Sequence, residues 1–232
     1  MKETNKAINV IRVLFIAVSM ILVLFHFLNH SEKLGKPLMD YFTAGFLKET
    51  GAQNAVAAIY LDYRVFDTLF EALMLLVSVM EVINVSWAQK DVRQYSMDKE
   101  LFNRKDNSEI VIRMVGAIYP FVLLIGLYTI FNGHISPGGG FQGGVILATA
   151  LISRYLVWPN SDLDLVKLEN FEKLLFLAIV AAPVFYIFMK IEPFYSLISR
   201  QTYMIFMNVL IGLKVFSGLS IIFYRFVFYE GR

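Results

Sequence analysis

The sequence predicts an all-α polytopic membrane protein with about six transmembrane helices. Hydrophobic residues make up 57% of its 232 positions, and the mean hydropathy is +0.60. Soluble domains are only about 45–50% apolar. The apolar residues come in continuous runs of about 20, the length that crosses a bilayer as a helix. A β-barrel would show short alternating segments instead. The 21 Phe and 12 Tyr suit lipid-facing and interfacial surfaces.

The six predicted spans lie near 9–28, 66–88, 111–132, 141–158, 172–190 and 203–228. The first follows Lys2, Lys6 and Arg12 and runs from Val13 to Leu28. Asn29, His30, Ser31 and Glu32 come next, with no small-residue cleavage site, so a retained helix is expected rather than a signal peptide. Residues 38–64 mix Asp40, Lys48, Glu49, Asp62 and Arg64 with Val56, Ile59 and Tyr60. That pattern predicts an amphipathic segment near 51–64, lying on neighbours or in the interface, with a re-entrant piece as the alternative. Residues 89–109 are the most charged stretch. They read as a linker between a two-span unit, 1–88, and a four-span unit, 110–232.

Basic residues orient the chain. With both termini in the cytoplasm, fourteen Lys and Arg lie inside and six outside, and Lys214 sits within a span. N-in/C-in is the predicted topology, with the 51–64 segment and the turn before residue 141 outside.

Composition also excludes functions. A net charge of +2 is no nucleic-acid footprint, which needs clustered basic charge. The absence of Cys excludes disulfides and thiolate-held iron–sulfur clusters. His26 and His30 could share a helix face, but read better as membrane-boundary residues than as a metal pair. No metal site or bound cofactor is expected.

Ionisable groups inside membrane helices are expensive, at roughly 2.5–3.5 kcal/mol near the centre on insertion scales, so each is a functional hypothesis. With Asp67 at zero and about 100° per residue, Glu71 falls near +40°, Ser78 near +20° and Glu81 near −40°. One face of the second span therefore carries three carboxylates over a rise of about 21 Å. Either it is a polar track for protons or Na⁺, or the carboxylates sit at the headgroups or form inter-subunit ion pairs. Lys214 lies near the middle of the last span, on one face with Met207, Ile211, Ser217 and Gly218. From there snorkelling is hard. Glu71 or Glu81 is a candidate partner for it, a pairing that sequence alone does not show.

The run Gly133-His134-Ile135-Ser136-Pro137-Gly138-Gly139-Gly140-Phe141-Gln142-Gly143-Gly144 joins two spans. It formally contains a dinucleotide fingerprint, but a membrane span precedes it rather than a strand, so nucleotide binding is rejected. Non-helical backbone at membrane depth survives only under protein cover or beside water. The turn is therefore expected to dock against a partner.

At these residues the chain resembles a known family. Residues 110–228 are similar to the MnhB (MrpB) subunit of the multisubunit Mrp-type Na⁺/H⁺ antiporters. The resemblance is carried by Gly126-Leu127-Tyr128, the Gly133–Gly144 run with Ala148, and Asn208 through Val215 with Gly218-Leu219. Residues 50–88 resemble the C-terminal end of the large MrpA-type subunit of the same antiporters. In membrane-bound hydrogenases that end is a separate small protein. Asn54, Val56, Ile59, Asp62, Arg64, Phe66-Asp67-Thr68 and Glu71 carry this second match, with Val65 where the family often has Gly.

The resemblance implies a transporter subunit, not an enzyme, in the cytoplasmic membrane of a prokaryote. Its partners would be A-, C-, D-, E-, F- and G-like antiporter subunits, with a hydrogenase or other ferredoxin-linked redox enzyme in some complexes. Na⁺ and H⁺ would be the transported ions. Glu71, Pro137, Phe141 and Lys214 match the most telling family positions, and Asp67 belongs to the same motif. Glu81 rests on the helical face alone. The leading expectation is ion translocation through Asp67, Glu71, Glu81 and Lys214, with His134, Pro137, Gly138, Gly139, Gly140, Phe141, Gly143 and Gly144 as a docking turn. The alternative is a non-conducting assembly role. A stand-alone transporter fares worst, because no inverted repeat frames a midplane site.

Overall fold

The structure is a computed structural model, and it describes residues 14, 17–22, 24, 25, 28, 36–85, 108–158, 164–189 and 199–230. Among the described residues there is no strand. The long helices are α1 (Lys36–Thr50), α3 (Val65–Val85), α4 (Glu109–Phe131), α5 (Gly140–Val157), α6 (Leu165–Met189) and α7 (Arg200–Glu230), with a short α2 (Ala55–Ala58) between α1 and α3. Five of them, α3 to α7, contain stretches long and apolar enough to cross a membrane. They correspond to five predicted spans. The other, 9–28, lies largely outside the described residues, and its described positions are helical. The 89–109 linker also lies outside them, except for Ser108 and Glu109, which open α4.

The chain forms two compact units, residues 1–41 and 42–232. In the second, α7 is the most enclosed helix and α4 the least. α3, α5 and α6 each pack on α7, and α4 packs on α5. The core joins Ala52, Ala57, Ala58 and Leu61 to Ile179 of α6 and Met204, Met207 and Ile211 of α7. Small residues bring α5 and α7 backbone to backbone. A Cβ on Gly140 would stand 2.6 Å from the Asn208 carbonyl, and one on Gly144 2.6 Å from the Gly212 carbonyl. Glycines four apart form the stripe that close membrane-helix packing requires.

Two predicted elements are corrected. The 51–64 segment is not one amphipathic helix. Gly51, at φ +72°, ends α1. Asn54 then caps α2, its side chain accepting from the Val56 N–H at 3.1 Å. A π-helical turn, Ile59–Tyr63, follows and closes with the Arg64 N–H on the Ile59 carbonyl at 2.7 Å. This broken piece is packed on neighbouring helices of its own chain, with Ala57, Ala58 and Leu61 fully buried. Tyr63 donates to Glu49 at 2.6 Å and stacks on Phe42.

The fifth predicted span began at Glu172, where hydropathy rises. The helix begins seven residues earlier, after Asp164, whose carboxylate accepts from the Val166 and Lys167 N–H groups at 3.1 and 3.2 Å. These bonds hold the Asp164 carboxyl below its ordinary range, the Lys167 N–H being the largest cause. The first turns of α6 carry charge and remain helical because their acidic residues face bases on α7.

Candidate functional site

The deepest charges lie between α6 and α7. Lys214 donates from Nζ to Glu172 Oε1, and both side chains are 1% exposed. The Phe176 ring lies 5.4 Å from the ammonium, within cation–π range. Ser217, fully buried, donates to the Lys214 carbonyl at 3.0 Å. One helical turn along α6, Glu169 accepts from Arg225 at 2.6 Å, with the side chains 13% and 8% exposed. A buried ion persists only when it is paired and hydrogen-bonded. Each partner therefore holds the other in place.

The carboxylate face of α3 lies elsewhere. Glu71, Ser78 and Glu81 are exposed, and Asp67 forms an exposed ion pair with Arg64 at 2.6 Å. α3 instead buries Thr68, Ala72 and Val79, about 120° round the helix from the carboxylates. Glu71 and Glu81 have no ion-pair partner among the described residues. The candidate pairing of Lys214 with either is corrected, since Glu172 holds it. Sequence reasoning missed Glu169, Glu172 and Arg225. The available signal was two acids three apart before an apolar run, with two bases on the last span.

The glycine turn closes on its own chain. The Asn54 amide donates to the carbonyls of Gly133 and Ser136, both at 2.9 Å. The His134 carbonyl accepts from the N–H groups of Gln53 and Asn54 at 3.0 and 3.1 Å. Asn208 is the keystone: its Oδ1 accepts from the Tyr60 hydroxyl at 2.7 Å and from the Gly140 N–H at 2.9 Å. That one side chain ties the π-helical turn, the start of α5 and the first third of α7 together. Burial pushes the Tyr60 hydroxyl up to about 12, and the charge of Glu71 adds to the rise.

Gly138 and Gly139 sit at φ +127° and +153°, where side chains are strained. A Cβ on Gly139 would stand 2.1 Å from the Tyr60 hydroxyl oxygen. His134, Gly140, Gly143 and Gly144 are buried and Phe141 is half-buried, while Ile135 and Pro137 are exposed. Gly140, Phe141, Gly143 and Gly144, expected in the turn, instead open helix α5, where Gly143 packs on α4 and Gly140 and Gly144 on α7. The cover expected from a partner is supplied at Gly133, His134, Ser136 and Gly139 by residues 53–60 and Asn208. Among the described residues no group of three or more acidic or histidine side chains is arranged to hold a metal.

The chain is similar to known proteins. Residues 110–221 match the family described as a domain related to MnhB subunit of Na⁺/H⁺ antiporter. The uncharacterized protein MJ1307 of Methanocaldococcus jannaschii is 33% identical over 198 residues, covering 72% of this chain and 74% of that one. A Staphylococcus epidermidis chain named for antiporter subunit mnhB2 is 35% identical over 89 residues, which cover 35% of this chain and 62% of that one. This chain thus matches less than two thirds of that relative's length.

Among solved structures, a chain of the membrane-bound sulfane sulfur reductase, an archaeal respiratory membrane complex, superposes with a TM-score of 0.67 at 25% identity, over 94% of this chain and 97% of that one. A chain of the Mrp complex from Dietzia sp. DQ12-45-1b superposes with a TM-score of 0.62 at 21% identity, over 93% of this chain and 25% of that one, which shows a shared fold. The chain is a multi-pass membrane protein that belongs to one family with the M. jannaschii protein, and its residues 110–221 match a domain related to the MnhB subunit of Na⁺/H⁺ antiporters.

Proposed function

We propose that this chain is a membrane component of a multisubunit Na⁺/H⁺ antiporter, or of the antiporter module of a respiratory complex, and that it contributes to ion translocation. The observation that carries this reading is the Lys214–Glu172 pair, buried to 1% exposure between two membrane helices. A charge there is costly to keep, and it offers a proton donor and acceptor in contact. The carboxylates Asp67, Glu71 and Glu81 face away from the chain's own core, where a helix of a neighbouring protein in the complex would complete a path for Na⁺ or H⁺. Ile135 and Pro137, exposed on the glycine turn, would touch such neighbours.

Both termini would lie in the cytoplasm of a prokaryote, with residues 1–88 a two-span unit resembling the end of an MrpA-type protein. The superposition of 93% of this chain on a quarter of one longer Mrp-complex chain supports that arrangement. The partners would be the remaining antiporter-module subunits, with a redox enzyme attached in some complexes, and no cofactor would be bound by this chain.

The second reading is a non-conducting assembly role, favoured by the self-closed glycine turn, which needs no transport function. Na⁺-dependent proton exchange in inverted vesicles separates the two. Glu172→Gln, Lys214→Ala and Glu71→Gln are expected to lower exchange while blue-native gels still show the complete complex. Normal exchange in all three variants would leave only the assembly role.

A further inference from the structure

The Glu169–Arg225 pair is the buried ionic contact that the proposed function leaves unused. It stands beside the Lys214–Glu172 pair on the same two helices. Glu169 and Glu172 are three residues apart on α6, so their Cβ atoms lie about 5–6 Å apart on one face. Their partners are eleven residues apart on α7, about 16 Å of rise. Lys214 and Arg225 must therefore reach toward each other along α7 to meet adjacent carboxylates.

Exposure rises along this column toward the start of α6. Glu172 and Lys214 are 1% exposed, Arg225 8% and Glu169 13%. α6 itself begins at Leu165, one turn beyond Glu169, behind the exposed Asp164. Tyr155, Leu165 and Tyr224 form a separate buried cluster at this end, so apolar side chains flank the column there. The Arg225 Nε is buried and has no acceptor among the described residues. The guanidinium thus keeps a spare donor beside the Glu169 carboxylate.

We propose that Glu169 is the proton-exchanging station between the Lys214–Glu172 pair and the water at the α6 start, with Arg225 as its positioning residue. This rests on the reading of Lys214–Glu172 as part of the translocation machinery. A proton passes from the Lys214 ammonium to the Glu172 carboxylate, which leaves a neutral amine and a carboxylic acid. It then passes to Glu169 and from there to water. Arg225 holds the Glu169 carboxylate while it is ionised, and Lys214 remains the partner of Glu172. Only protons move, and no electrons are transferred.

The test compares assembled complexes in inverted vesicles. Glu169→Gln is expected to lower the maximal Na⁺-dependent proton exchange about tenfold or more, with half-saturation by Na⁺ unchanged, and Glu169→Asp to retain most of it. The charge swap Glu169→Arg with Arg225→Glu keeps an ion pair but puts no carboxylate at position 169. It is expected to assemble and to stay as slow as Glu169→Gln. Wild-type exchange in the swapped variant would overturn the proposal and make the pair structural. So would wild-type exchange in Glu169→Gln alongside impaired Glu172→Gln, an outcome that leaves the Lys214–Glu172 reading standing. If Glu172→Gln itself exchanges normally, that underlying reading fails instead.

Discussion

Replacing Lys214 alone by Met should cost far more stability than replacing Lys214 and Glu172 together. Met is close to Lys in volume, so the single change removes charge without opening a large cavity. It strands the Glu172 carboxylate at 1% exposure without its cation. Breaking a buried pair in this way costs about 3–5 kcal/mol. The insertion cost of a lone charge in a membrane helix, about 2.5–3.5 kcal/mol, gives the same scale independently. At 1.4 kcal/mol per factor of ten, the loss exceeds about a hundredfold in the folded-to-unfolded ratio.

Glu172→Met in the same chain removes the stranded charge. A buried pair exchanged for apolar residues of similar volume is commonly neutral or stabilising by about 1–4 kcal/mol. The double variant should therefore unfold near the wild-type midpoint, while its Na⁺-dependent exchange stays low because neither group can carry a proton. Denaturant unfolding of the purified complex, with exchange measured on the same preparations, reads both quantities. A single Lys214→Met variant as stable as the double would refute the electrostatic reasoning. A stable double variant with wild-type exchange would refute the functional role.

The glycine turn and its tyrosine offer further checks. Gly139→Ala places a methyl group 2.1 Å from the Tyr60 hydroxyl oxygen at φ +153°, so reduced complex yield and a lowered unfolding midpoint are expected on blue-native gels and thermal scans. An unchanged midpoint would mean that the turn is not closed on Tyr60. Tyr60→Phe leaves Asn208 Oδ1 with the Gly140 N–H as its remaining donor, at an expected cost of about 1 kcal/mol. The hydroxyl's rise from 10.0 to about 12 means that the folded state holds this proton more tightly than the unfolded chain. That contribution is complete below pH 10 and is lost as the pH climbs toward 12. Stability should accordingly fall less steeply over this window in Tyr60→Phe than in the wild type, and parallel pH profiles would count against it.

The spans α3 to α7 were legible because a membrane helix is read from a local property, a run of about 20 apolar residues. The glycine turn was legible in part for a similar reason: Pro137 with Gly138 and Gly139 interrupts the helices, whereas Gly140, Gly143 and Gly144 belong to α5 because small residues let it approach its neighbours. The carboxylate face of α3 was likewise placed correctly as a face, because 100° per residue is all that is needed. The direction of that face was not legible. Thr68, Ala72 and Val79 take the packed side, and only their neighbours on α6 and α7 reveal it.

Hydropathy misread the start of α6 because it scores Glu169 and Glu172 as breaks. The helix continues through them since Arg225 and Lys214, more than 40 residues away in sequence, neutralise them. The broken helix at 55–63 was hidden too, because the Asn54 side chain both caps α2 and holds the turn at 133–136.

The sequence by itself determined the class of the molecule, most of its spans and the place of its irregular turn, since each follows from residues close along the chain. The tertiary structure alone decided which charges meet and what covers the turn. Lys214 takes Glu172 rather than Glu71 or Glu81, and Asn208 joins Tyr60 to Gly140 across 148 and 68 residues of chain. The physical reason is that helical periodicity sets the faces of each helix, whereas the pairing of faces follows from how small residues such as Gly140 and Gly144 let particular helices approach.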